Sequence, residues 1–222
     1  MTAPTTTTGP AISFESLLKV RKGAVDMIDV PEFGFAVVTG SGAPGGREFT
    51  EALQALYAVS YGAHFMIKKE RGEAPRVMPL EALWWVDDPG QQDILAAVAL
   101  GEATMADTDK DRWRWQAMIM QPAPAGPDLV AAALAQARDR KPSPGLERVR
   151  YVRWAEGRCA QLLHVGPYDA EGPSIVRLHQ AIAAAGYRAR GRHHEIYLGD
   201  PRRSAPEKLR TILRHPVEPA AP

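Results

Sequence analysis

Trp84-Trp85-Val86-Asp87-Asp88-Pro89 and Ile196-Tyr197-Leu198-Gly199-Asp200-Pro201 read as one motif written twice: a β-rich apolar run ending in an acidic turn closed by proline. Gln121-Pro122 and His215-Pro216 close the next β-rich run in each copy. Working outward, the second half repeats the order of the first. Ala24 to Val30 and Phe33 to Gly40 read as two antiparallel strands around a Pro31-Glu32 turn. Arg47 to Lys69 reads as a long helix, with Phe49, Leu53, Leu56, Val59, Ala63 and Ile67 as its apolar stripe. Val77 to Val86 and Trp113 to Met120 are apolar enough for buried strands. In the second half, Arg148 to Trp154 and Arg158 to Val165 read as strands, Ser174 to Ala185 as a helix stopped by Gly186, and His193 to Leu198 and Leu209 to His215 as strands. Such a repeat predicts two equivalent modules, 24–140 and 147–216, with antiparallel sheets and helices on one sheet face, an α+β protein whose free sheet faces can form a cleft. Pro89 to Pro122 spans 33 residues against 15 from Pro201 to Pro216, so the first module carries an insertion of about 18, with Ile94 to Leu100 a short helix inside it. Pro127 to Asp139 reads as an Ala-rich helix, and Lys-Pro-Ser-Pro-Gly at 141–145 as the linker. Phe14, Leu17 and Leu18 suit a short amphipathic helix, and residues 1–11 have the composition of a disordered tail.

At 222 residues with 45% apolar and 24% charged side chains, the chain can bury a core and is neither collagen-like nor disordered. Its longest uninterrupted apolar runs, 94–100 and 129–135, fall far short of the roughly 20 residues that span a membrane, so no membrane partner is expected. The first 18 residues carry no Lys or Arg and no apolar signal core, which predicts a cytoplasmic protein. The single cysteine, Cys159, allows no internal disulfide and no cysteine zinc site. Residues 1–111 hold 9 basic and 16 acidic side chains and residues 112–222 hold 18 and 10, a split near −7 and +8. Arg148, Arg150, Arg153, Arg188, Arg190 and Arg192 alternate as on strands, mostly without stacking aromatics between them, so the split reads as complementary halves rather than a nucleic-acid face.

Gly40-Ser41-Gly42-Ala43-Pro44-Gly45 matches G-x-G-x-x-G between a strand and a helix, but no second parallel strand ending in an acid follows, so the loop reads as a flexible turn with no nucleotide cofactor. His193-His194-Glu195 lacks the second His of H-E-x-x-H and lies on a strand, so no metal is expected. On that strand His193, Glu195 and Tyr197 share one side and His194, Ile196 and Leu198 the other. With Ile196 and Leu198 turned toward the helices, Glu195 and Tyr197 face away. They are then either solvated or, in a cleft, a cation site or an acid/base pair. Tyr57, Tyr61 and Phe65 at i, i+4, i+8 read as core packing. Tandem Trp on a strand splits between faces, and by the repeat Trp85 matches Tyr197 on the cleft side. An aromatic wall opposite a carboxylate suits flat, apolar, often cationic ligands.

Pro79-Leu80-Glu81-Ala82-Leu83-Trp84-Trp85, Trp113-Arg114-Trp115, Met118-Ile119-Met120-Gln121-Pro122, His164-Val165-Gly166-Pro167-Tyr168 and the run from His193 to Arg203 together resemble the GyrI-like small-molecule-binding family over nearly the whole chain after residue 20. That resemblance implies a duplicated strand-helix-strand-strand fold whose ligand cleft between the halves takes lipophilic aromatic small molecules. In related multidrug-binding regulators aromatic rings and a carboxylate hold cations, and by motif the carboxylate falls on Glu195. Trp85, Trp115, Met118, Tyr168, His193 and Tyr197 complete the expected lining. Some stand-alone members are hydrolases that open the cyclopropane of DNA-alkylating natural products, which makes Glu195 and Tyr197 (or Tyr168) the candidate catalytic groups. The insertion around Gln91 to Ala106 departs from the family pattern. About 24 residues precede the first strand, fewer than the ~50 of a DNA-binding domain, so a stand-alone member that does not itself bind nucleic acid is expected.

Overall fold

The computed structural model describes residues 12–220; the tail expected at 1–11 lies outside them. In chain order the elements are α1 (Phe14–Leu17), β1 (Val25–Ser41), α2 (Arg47–Arg71), β2 (Leu80–Val86), α3 (Pro89–Leu100), β3 (Trp113–Met120), α4 (Pro127–Arg140), α5 (Pro144–Arg148), β4 (Arg150–Val165), α6 (Gly172–Ala184), β5 (Tyr187–Ala189), β6 (His193–Tyr197) and β7 (Arg210–Pro219). Every strand pairing is antiparallel, in the order β4-β1-β3-β2-β6-β7-β5, and a further β4–β7 pairing joins the first strand of that order back to β7. The fold is α+β with the long helices on one side of the sheet, as the repeat predicts, and only the one-turn α1 on the other, called here the helix-free side. Equivalent strands do equivalent work: β1 pairs β3 and β3 pairs β2 in the first half, as β4 pairs β7 and β7 pairs β6 in the second.

Three local expectations are corrected. Pro31-Glu32 does not turn the chain: β1 runs straight through, in one register with β4 from Val25↔Leu162 to Val37↔Arg150. Proline is tolerated there because β3 covers only residues 35–41 of β1, leaving an open edge at residue 31. Across the ribbon, Gly157 has φ +77, and β4 likewise continues where the sequence suggests a break. Residues packed inward are spaced by three at both places, buried Val30 to half-buried Phe33 and buried Glu156 to buried Cys159, so both strands exchange sides at this crossing. The linker at 141–145 is partly helical, as α5.

Helix α2 buries Phe49, Ala52, Leu56, Val59, Ala63 and Ile67, the spacing of one helical face, and Phe49 meets Trp84 and Trp115 at 5.3 and 5.1 Å between ring centroids. Leu178 and Ile182 of α6 pack on Ala160, Leu162, Leu213 and Val217. The insertion forms α3, begun by Asp88, whose side chain accepts from Gln91 N at 3.0 Å; it ends at Gly101 beside Val176 of α6. The helix-free side is closed too, where Phe14 of α1 stands edge-on to Phe33 at 5.2 Å. Acids of the first half meet arginines of the second across the β1–β4 ribbon, Asp29 with Arg158 at 2.8 Å and Glu32 with Arg153 at 2.6 Å, so the charge split is partly an internal match. These exposed pairs add little stability.

On the helix-free side lies a fully buried polar cluster. His194 Nδ1 donates to Glu156 at 3.0 Å, and its Nε2 sits 3.0 Å from Glu81 Oε2, an ionic contact too bent for a hydrogen bond. Arg214 donates to Glu156 at 3.2 Å and to Gln161 at 3.0 and 2.9 Å. Burial alone lowers the imidazole pKa, but Glu156 and Glu81 outweigh it and raise His194 to about 9. Burial raises Glu156, and His194 and Arg214 outweigh that and hold it at about 2.

The folded-state pKa of His194 is raised above 6.5, so its contribution is full below about pH 6.5 and is lost as pH rises through about 9. Glu156 is depressed below 4.5, so its contribution is full above about 4.5 and is lost as pH falls through about 2. Thermal unfolding followed from pH 5 to 10 should show Tm declining between 6.5 and 9. His194→Gln should flatten that decline and cost about 3 to 5 kcal/mol at pH 6, as expected for breaking a buried pair. An unchanged alkaline slope in the variant would assign the decline to other groups.

Candidate functional site

The pairing register lays out the helix-bearing side as a grid. Trp84, Ala82 and Leu80 of β2 lie opposite His193, Glu195 and Tyr197 of β6, and opposite Trp115, Ala117 and Ile119 of β3 on their other flank. Leu213 and Thr211 of β7 lie opposite Glu195 and Tyr197. Directly opposed residues of antiparallel strands share a side. Phe49 of α2 rests on Trp84, and Leu178 and Ile182 of α6 pack with Leu213, so Glu195 and Tyr197 of β6 lie between the strands that these two helices cover. The sequence expects the reverse, with Ile196 beneath the helices. Ile196 instead shares the helix-free side with His194, and both are buried.

Of the nominated residues the structure brings together Glu195, Tyr197, His193 and Tyr168. Trp115 is on the right side but fully buried under Phe49. Trp85 and Met118 are on the opposite side: Arg192 lies 3.5 Å over the Trp85 ring, whose Nε1 donates to Asp87 at 3.1 Å, and Met118 is buried opposite Glu81. Trp84, not Trp85, shares the side of Tyr197. The two copies are therefore one residue out of phase with the string alignment, and a one-residue slip in a strand exchanges every side.

Glu195 keeps 14% of its side chain exposed. Tyr197 donates to its Oε2 at 2.8 Å and accepts from Trp84 Nε1 at 3.1 Å, while His193 Nε2 is 3.5 Å from Oε1. Among the described residues no Lys or Arg pairs with Glu195. Burial, then the Glu195 carboxylate, pushes the Tyr197 hydroxyl well above its ordinary range, so it remains a donor. Tyr168 stands edge-on to Tyr197 at 5.6 Å, and burial with Glu171 and Glu195 raises its pKa to about 12. Burial and then Glu195 raise the Glu171 carboxyl to about 9. His179 and His215, with rings 5.1 Å apart, are depressed by burial and then by His193, the former to about 4. These imidazoles are neutral, and among the described residues no group of His, Cys, Asp or Glu is arranged to hold a metal ion.

The aromatic stripe of α2 differs from its expected core role. Tyr57 is half-buried, whereas Tyr61 and Phe65 are 48% and 60% exposed, in a stack with centroids 6.2 and 6.3 Å apart. A spacing of four advances about 40° beyond a full turn, so each ring drifts further from the buried line. Tyr168 itself is set by a loop that His164 holds, through Ser174 Oγ at 3.0 Å and Pro167 O at 3.2 Å. Gly166 in that loop has φ +143, and a Cβ there would sit 3.2 Å from His164 Nε2. The Gly40 loop instead borders a separate hollow at the strand ends, lined by Glu48, Trp85, Arg114 and Arg192.

Against known proteins, the family model of the GyrI-like small molecule binding domain matches residues 24–218. No curated protein matches the chain. Among solved structures, an uncharacterized conserved protein from Listeria innocua is 34% identical, with TM-score 0.79 over 92% of this chain and 97% of that one. A hydrolase from Listeria innocua is 33% identical, with TM-score 0.74 over 92% and 96%. The EcmrR C-terminal domain, at 11% identity and TM-score 0.51 over 89% and 98%, shares the fold. No helix among the described residues is long and apolar enough to cross a membrane.

Gly166→Ala should lower stability by about 1 to 3 kcal/mol, because an L side chain is forced into a strained backbone region against His164. Gly172→Ala, where a Cβ meets nothing within 4 Å, should leave Tm unchanged. Equal Tm for both variants in calorimetry would remove this constraint on the Tyr168 loop.

Proposed function

The chain belongs to the GyrI-like small-molecule-binding family, and from that membership we propose that the groove between α2 and α6 takes up planar, lipophilic aromatic compounds, often cationic, around Glu195. One observation carries this reading: a partly exposed carboxylate with no basic partner among the described residues, ringed by Trp84, Tyr197 and Tyr168. A carboxylate so placed is attractive to a cation that sheds its water against ring faces. Tyr168, edge-on to Tyr197, is 38% exposed, so its ring is free to change rotamer as a ligand enters. The exposed Tyr61 and Phe65 extend the aromatic surface outward.

A second reading, hydrolysis, is supported by the 33% identity to a hydrolase and by the Glu195–Tyr197 pair. For a cyclopropane conjugated to a carbonyl, water attacks a ring carbon while Glu195 takes its proton. The ring C–C bond breaks and its electron pair passes to the carbonyl oxygen, where Tyr168 is the available donor. Tyr197 already donates to Glu195 and so acts here as a positioning residue, aiming the carboxylate.

Glu195→Gln keeps the shape and removes the charge. Calorimetric titration should show cation affinity weakened by about 1 to 3 kcal/mol, with neutral ligands of the same outline retained. Equal loss for both classes would leave Glu195 a packing role only. Incubation with a cyclopropane-bearing alkylator, followed by mass spectrometry, decides the second reading: ring-opened product that falls by about 10²-fold or more in Glu195→Gln supports hydrolysis. Intact compound at all times supports binding alone.

A further inference from the structure

Glu171 is the residue between the turn that carries Tyr168 and helix α6. At the N-terminal cap of a 13-residue helix its carboxylate could accept from the free helix N–H groups, but it makes no capping bond. It turns inward instead, 5% exposed, with Oε1 buried and without a partner. The titratable groups within its electrostatic reach are Glu195 and Tyr197 from β6 and Tyr168 from its own turn, with the Thr211 hydroxyl from β7 beside it. Further out, Tyr57 of α2 and Asp200 of the β6–β7 loop reach Tyr168, and His193 flanks Glu195. No Lys or Arg lies among the groups that reach Glu171 directly, and the nearest guanidinium in this outer ring, Arg202, is already paired with Asp200 at 3.0 Å. A carboxyl left unpaired, dry and next to a carboxylate is tolerated only in its neutral form.

Resting on the groove reading above, we infer that Glu171 is the second carboxyl of the ligand site, held as the neutral acid while the groove is empty, and that it gives up its proton to solvent when a cationic ligand enters. The balance is simple: the Glu171 acid and a cation become the Glu171 carboxylate paired with the cation, plus one free proton. The empty groove then carries one negative charge, and the occupied groove two against one positive. A neutral ligand supplies no charge to offset the second carboxylate and leaves the proton in place. Glu195 thus attracts a cation, whereas Glu171 makes capture of that cation depend on pH.

Isothermal titration of methyltriphenylphosphonium and of the neutral triphenylphosphine oxide, each in two buffers of different ionisation enthalpy at pH 7, tests this. The cation should bind with release of close to one proton, and its affinity should rise about tenfold per unit between pH 6 and 8. The neutral compound should show neither effect. Glu171→Gln should abolish the release and flatten the pH dependence for the cation. Cation binding without proton release, or release that persists in Glu171→Gln, overturns the inference and leaves the groove reading intact. Failure of both compounds to bind overturns the groove reading and this inference with it. Independently of any ligand, a Glu171 carboxyl carbon that titrates below pH 6 by 13C NMR, assigned by its loss in Glu171→Gln, overturns the inference, and one that titrates above pH 8 supports it.

Discussion

Everything about this groove depends on which way His194 points. Its ring is clamped between Glu81 of β2 and Glu156 of β4, and Glu156 in turn holds Arg214 of β7. Four charges from four strands and both halves of the chain are thereby fixed on the helix-free side. Burying them costs desolvation that their attraction only roughly offsets, so the cluster is better understood as a device for specifying register. Because side chains alternate along a strand, pulling His194 to one side sends His193 and Glu195 to the other. A one-residue slip between β2 and β6 would strand Glu195 in the apolar layer and turn His194 into the groove.

The order of elements and the spans of the long helices were legible in the sequence, because helical periodicity and breaker residues are local signals. The α2, α4 and α6 boundaries fall within two residues of those read from pattern. What was not legible was non-local. Pro31 and Gly157 look like chain reversals, yet each strand is carried through by the other, and only the partner's register shows it. The sides of β6 were misread because both are buried: Ile196 packs on the helix-free side as tightly as apolar residues do under the helices, so apolarity cannot orient the strand. A usable signal was present in the lone charges within apolar runs, Glu81 in Leu80-Glu81-Ala82-Leu83 and Arg214 in Ile212-Leu213-Arg214. Such residues need partners, and their matching sides would have placed His194 with them.

For the site, alternation correctly required one of Trp84 and Trp85 to leave the other's side, but the repeat alignment chose the wrong one. Glu171 left no trace in pattern, since an acid before a helix suits the positive end of the helix dipole and needs no further role. Its inward turn is set by the Tyr168 loop, which no local rule describes. The insertion that blurred the match between halves became α3, which packs on the helix of the opposite half rather than extending its own.

The two strand pairings between halves, β1 with β4 and β2 with β6, join equivalent strands in antiparallel fashion, as a two-fold axis requires. Each half therefore has the shape of one subunit of a symmetric dimer, and a single copy would bury its open edges only against its twin. In such a homodimer a carboxylate near the axis would confront its own image at a Cβ separation of about 4.5 to 5.5 Å. Within one polypeptide that constraint is absent. Glu195 faces Ala82, and the space that symmetry would have given to a second acid belongs to a methyl group.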